Sequence, residues 1–252
     1  MAGRSTIVHR LLLRAPGPRA LWIVLYSLIP LVAAFLPHAY VATVGSASTG
    51  TRVVAGAVFA YAVALSLIAI AYFAHRVGEV EESVGDSRLF RELPSAIGPL
   101  AFTALFVVAT TARTWALTDL GTALVWLPIT ILTNLPLMSA FWVYLVLLLG
   151  LDRVGRLNQS LTLFPKDPSL GLQSVGHLAY AAFWIFVAAA IPTLVVNSGD
   201  GIRLALSLCV FLVGVTMFFA SIWRLHRQLV AVRERCIDDA RDLLSRAYEP
   251  LR

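Results

Sequence analysis

Six apolar runs, each bounded by charge or by turn residues, recur along the chain near 20–36, 53–74, 97–112, 121–149, 177–196 and 202–223. A bilayer crossing needs about 20 mostly apolar residues, and Val53 to Ala74 provides that length without a single charge. The first run carries Pro30 and the fifth Pro192; the third is short, entered through Pro94 and Pro99 and left at Arg113. From Leu120 to Leu151 the fourth region holds 32 uncharged residues. As one straight helix it would extend about 48 Å against a hydrocarbon core of about 30 Å, so it must tilt, bend or begin outside the bilayer. Pro128 and Pro136 each remove a helix hydrogen bond there, with Thr130, Thr133 and Asn134 between them. This is the one polar, breakable stretch inside a span. The pattern predicts an all-α, polytopic membrane protein with six transmembrane helices, its membrane domain covering 1–223.

After the sixth run no turn signal intervenes: Ser221 to Tyr248 contains neither Gly nor Pro. Leu229, Val230, Val232, Cys236, Ile237, Leu243 and Leu244 recur at three- and four-residue spacing among charged residues. That period predicts an extension of the last helix, an amphipathic cytoplasmic helix over 224–252. Asp239 and Arg246 interrupt its apolar stripe, so a long coiled coil is not required. Packing against the chain's own 75–96 segment is preferred slightly to dimerisation. The first run is longer than a signal-peptide core and five more follow, so it is expected to remain as a helix.

Charge turns these runs into a topology. The composition is 59% hydrophobic and 13% charged, about half the charged fraction of an ordinary soluble domain. Alternate connections hold 17 of the 20 basic residues, and the others hold only Arg52, Arg113 and Arg203. Cytoplasmic loops collect Lys and Arg, which predicts a plasma-membrane protein with both termini cytoplasmic. The outer connections 37–52, 113–119 and 197–201 are short, and the inner ones 75–96, 152–176 and the tail are longer. Arg replaces Lys at all basic positions but Lys166, as expected of a GC-rich bacterial genome. The net charge of +6 does not imply nucleic acid, because the basic residues flank apolar runs rather than forming a patch with exposed aromatics.

Two of the hairpins look alike. Arg52 to His75 and Arg203 to His226 share a spacing of 23, and Ile29-Pro30 and Ile191-Pro192 precede them. Parallel duplication and the common thickness of the bilayer both account for this. Counted from the paired histidines, Glu82 and Arg233 lie at equal depth, with Glu79 and Arg235 near them. If those spans are neighbours, the four residues form cytoplasmic ion pairs in a two-helix layer, setting register more than stability.

The candidate chemistry is sparse. The histidines are scattered and fit interfacial anchoring, and no convergent His, Cys or carboxylate ligands suggest a metal. Cys209 and Cys236 are too far apart along a helix to bridge. Phosphate loops, zinc-protease pairs and nucleophile elbows are missing from the sequence. No Asp, Glu, Lys or Arg lies inside a span, which argues against ion-coupled transport. Leu157, Leu161, Leu163 and Phe164 suit a short interfacial helix, and Pro165-Lys166-Asp167-Pro168 a stiff turn.

The expectation is therefore a non-enzymatic integral membrane scaffold or signalling subunit acting through its cytoplasmic helical face, without cofactors. Its partners would be the lipid bilayer and, through 224–252, a second copy or a cytoplasmic protein. The rival is an oligomeric channel or permease using the proline-broken fourth span, lined by Pro128, Thr130, Thr133, Asn134 and Pro136, with Ser139 beside them. A membrane-embedded lipid enzyme is a weaker third reading, for want of acid and base groups in the layer.

Overall fold

The computed structural model describes residues 6–14, 18–33, 49–84, 89–93, 95–117, 120–154, 173–198 and 201–248. Among them every regular element is a helix: α1 (Ile7–Arg14), α2 (Arg19–Ala33), α3 (Thr49–Val84), α4 (Ile97–Leu117), α5 (Leu120–Val154), α6 (Gln173–Asn197) and α7 (Gly201–Tyr248). Four helices are long and apolar enough to cross a membrane, over Val53–Glu82, Trp126–Val154, Val175–Asn197 and Leu204–Arg227. Arg19–Pro30 and Ile97–Ala112 are shorter apolar helices. The expected 157–172 helix and turn, and the loop residues 37–48, lie outside the described residues.

The helices outrun the apolar patterns that predicted them. Continuing to Val84, α3 places Glu79, Glu81 and Glu82 on the helix itself rather than in a separate segment. The third run extends to Leu117, past Arg113, and α1 forms where the sequence reading had only a basic flank. Its Val8 is buried, and the helix packs on α3. With Ile7, Leu11 and Leu12 set among Arg10 and Arg14, α1 has the amphipathic pattern of an element that rests on a larger one.

Two helices make the centre. About 44% and 50% of the apolar stretches of α3 and α5 are buried, against 11% and 17% for α6 and α7. An apolar helix with little burial in its own chain needs lipid or other protein to cover its remaining faces. Helix α5 packs on α4, α3, α7, α6 and α2, while α3 also holds α2, α6 and α1.

Helix α5 is not broken. It runs as one 35-residue helix through Pro128 and Pro136, and the expected interruption is absent. Pro136 has no N–H for the carbonyl four residues earlier, that of Leu132. The Tyr26 hydroxyl of α2 donates to this carbonyl at 2.8 Å. Asn134 Nδ2 donates to the Thr130 carbonyl at 2.8 Å, and Ser139 Oγ to that of Leu135 at 2.6 Å. The Tyr26 bond is the one that re-satisfies a carbonyl freed by proline, a usual means of accommodating an intramembrane proline.

The basic-rich end of the bundle is the densely packed one. Val143, Val146, Leu147, Leu148 and Leu151 of α5 are buried together with Val77 and Val80 of α3 and Val175 and Leu178 of α6. Beneath them the 89–93 turn inserts Leu89, Phe90 and Leu93, all at most 2% exposed. Phe90 N–H donates to Glu81 Oε1 at 3.4 Å. A Cβ at Gly150 would collide with the Phe90 ring, so this glycine admits the turn beneath α5.

Candidate functional site

A cavity of about 300 Å3 lies in the other half of the bundle. It is bounded by α2 to α7, and among the described residues no Asp, Glu, Lys, Arg or His lines it. Three predicted residues, Thr130, Thr133 and Asn134, are on its wall. Pro136 is buried and Pro128 exposed, and neither lines the space. Ser139 is buried and turned back onto its own helix.

Aromatic rings close the cavity toward the packed end. Tyr144 of α5 stacks on Phe186 of α6 with centroids 4.5 Å apart, and its hydroxyl donates to the Gly214 carbonyl of α7 at 3.0 Å. Phe141 lies 6.2 Å from Phe186. Gly214 permits this closure, since a Cβ there would strike Phe186. Helices α5, α6 and α7 are thereby joined at one level.

Depth follows from helix rise. Asn134 is ten residues from Tyr144, and Asn197 eleven from Phe186, both on the far side from the packed core. At 1.5 Å per residue they stand about 15 Å and about 16 Å above the stacked rings. Asn197 Nδ2 donates to Ser207 Oγ at 2.8 Å, tying the end of α6 to the start of α7. Thr193 Oγ1 donates to the Ala189 carbonyl at 2.8 Å. The wall thus has a belt of hydroxyls and amides from about 10 Å to about 16 Å above an apolar, aromatic floor.

The predicted cytoplasmic ion pairs are not formed. Glu79 pairs with Arg76 at 2.5 Å on its own helix and lies 3.6 Å from His75. Glu82, Arg233 and Arg235 are exposed, and no ion pair joins α3 to α7 among the described residues. The reason is packing: α7 lies against α5 and α6, while the nearest cation to Glu79 is one helical turn away.

Other ion pairs join the elements. Arg153 of α5 donates to both carboxylate oxygens of Glu92, the Nη1 bond being 2.6 Å, and to the Leu89 carbonyl at 2.8 Å. The Arg153 guanidinium, with help from Arg91, holds the Glu92 carboxyl well below its ordinary 4.5, at about 2. Arg224 of α7 meets Asp152 of α5 at 2.5 Å. These pairs fix the 89–93 turn and α7 to consecutive residues of α5. Sequence reading missed Glu92 and Asp152; apolar 89, 90 and 93 around the charged pair 91 and 92 was the available signal.

No family model matches the chain, and neither a curated protein nor a solved structure matches it.

Proposed function

We propose that the chain is a non-enzymatic scaffold or signalling subunit of the plasma membrane, crossing six times with both termini cytoplasmic, α2 and α4 being the additional spans. The observation that carries this reading is α7, one 48-residue helix. Beyond Arg227 it continues to Tyr248, roughly 30 Å further at 1.5 Å per residue. Along that length Val230, Ile237, Leu243 and Leu244 are exposed, the last two by 67% and 58%. Apolar residues presented at helical spacing among charges suit a helix-in-groove partner or a second copy.

Charge reversal on this face, Leu243→Glu with Leu244→Glu, tests the reading. In-cell proximity labelling from the C-terminus should recover a specific protein or a second copy with the native chain. The double variant should lose it at unchanged membrane abundance. An identical labelling pattern for the two chains overturns the proposal.

The permease reading draws on Asn134, Thr133 and Thr130 beside the cavity. It requires flux in liposomes that Asn134→Leu abolishes. The packed residues below Tyr144 support the scaffold reading over a through-path.

A further inference from the structure

We infer that the cavity is a binding site for an uncharged lipid with one hydrocarbon chain, such as a long-chain alcohol or monoester. Its chain lies on the aromatic floor and its polar head at the Asn134 level. This inference is independent of the scaffold reading, since it uses no residue beyond Gly214.

Shape is the first reason. The wall reaches from Asn197 to Ala182 along α6, a length of about 22 Å at the helical rise. A space that long with a volume of only about 300 Å3 is slender. At about 10–15 Å3 of such space for each, it holds on the order of 20 groups the size of a water or a methylene. A single extended chain fits such a space.

The distribution of polarity is the second. The floor is made by Phe73, Phe141 and Phe186, with the Tyr144 hydroxyl already committed to the Gly214 carbonyl. Water there would have few partners, and a small apolar void excludes it. Left empty, the floor would forfeit van der Waals contacts on one side. Hydrocarbon chains are the abundant molecules at this depth, and they fill the space without loss.

The belt supplies the head-group chemistry. Asn134 uses its amide nitrogen on Thr130, leaving Oδ1 to accept, while Ser207 accepts from Asn197 and keeps its own proton to donate. A hydroxyl or ester both gives and takes hydrogen bonds of this kind. A carboxylate, phosphate or ammonium would instead meet no opposite charge on the wall among the described residues, which is strongly unfavourable. The site therefore selects against ionised amphiphiles.

The experiment uses the full chain in nanodiscs and a 16-carbon alcohol bearing a diazirine at its distal carbon. After photolysis, adducts are expected at Phe141, Tyr144 and Phe186 rather than at outward-facing Leu105 and Val108. Hexadecanol should displace the probe at least tenfold better than palmitate or hexadecyltrimethylammonium. Ala189→Trp, which fills the cavity, should cut floor labelling at least tenfold, and Ala104→Trp on the exposed face of α4 should leave it unchanged. The inference is overturned by adducts confined to outward-facing residues, or by charged amphiphiles competing as well as the alcohol. It is also overturned if a cysteine placed at Ala182 reacts readily with a membrane-impermeant thiosulfonate, because the floor would then be a water path. The unmodified chain's adduct map decides the matter even if the tryptophan variant fails to fold.

Discussion

Leu147 and Thr133 belong to the same helix, fourteen residues apart, and live in opposite surroundings. Leu147 is fully buried among α3, α6 and the 89–93 turn; Thr133 faces an open cavity. Both ends of the bundle are built from the same central helices, so helix identity does not decide packing density. Side-chain size and helix closeness do. At the basic-rich end, Gly150 lets a turn enter, one ion pair holds the turn to α5 and another holds α7 to α5. At the other end Pro30, Pro136 and Pro192 lie in three of the helices around the cavity. No plug comparable to Phe90 fills the space between the described residues there.

The sharpest way to break this contrast is to remove the same side chain from each half. Leu147→Ala should destabilise the protein by about 2–5 kcal/mol, the range for emptying a packed core site. Leu206→Ala, on the cavity wall and partly exposed, should cost less than about 1 kcal/mol, within the usual range for sites away from a packed core. Unfolding in bicelles measures both, and equal losses would show that the two halves are packed alike.

Next in size is the glycine contrast. Gly150→Ala should cost about 1–3 kcal/mol, since it must displace Phe90. Gly176 has open space around it, and Gly176→Ala should stabilise its helix by up to about 1 kcal/mol. Thermal melts of the two variants should move in opposite directions.

Acid should loosen only the packed end. The Glu92 carboxyl has its folded value lowered to about 2 from 4.5. Its contribution is therefore complete above about pH 4.5 and is lost as pH falls toward 2. Hydrogen exchange at Phe90 and Leu93 should accelerate across that window, while exchange near Asn134 should not. Glu92→Gln should remove the pH dependence of the turn, and its persistence would assign the effect to another carboxyl.

The smallest effect tests how the proline is accommodated. Tyr26→Phe deletes the bond to the Leu132 carbonyl and should cost about 0.6 kcal/mol, typical of an interhelical bond in a membrane. Restoring a backbone donor by Pro136→Ala should make the loss of the Tyr26 hydroxyl nearly neutral. A double-mutant cycle with no coupling would mean that the carbonyl finds another partner.

Three residues of the cavity wall were legible in advance as polar positions. Thr130, Thr133 and Asn134 stand out because a polar residue in an apolar run has few reasons to be there. Tyr144 and Phe186 could not be found the same way. An aromatic in a span is ordinary, and their stacking depends on α5 and α6 becoming neighbours. The failed Glu82 and Arg233 pairing has the same origin, since equal depth along two helices does not make those helices adjacent.

Local chemistry, readable residue by residue, determined the helical class, the apolar lengths and the uninterrupted run of α7 to Tyr248, because backbone hydrogen bonding and turn residues act over a few positions. Tertiary structure alone decided which helices are central, that α5 survives its prolines, where the ion pairs form, and that one half of the bundle is hollow. Those outcomes depend on contacts between residues distant in sequence, as with Tyr26 and Leu132, 106 positions apart. Apolar patterning specifies that a helix is buried in something; only the fitted shapes of its neighbours determine whether that something is protein, lipid or an occupied cavity.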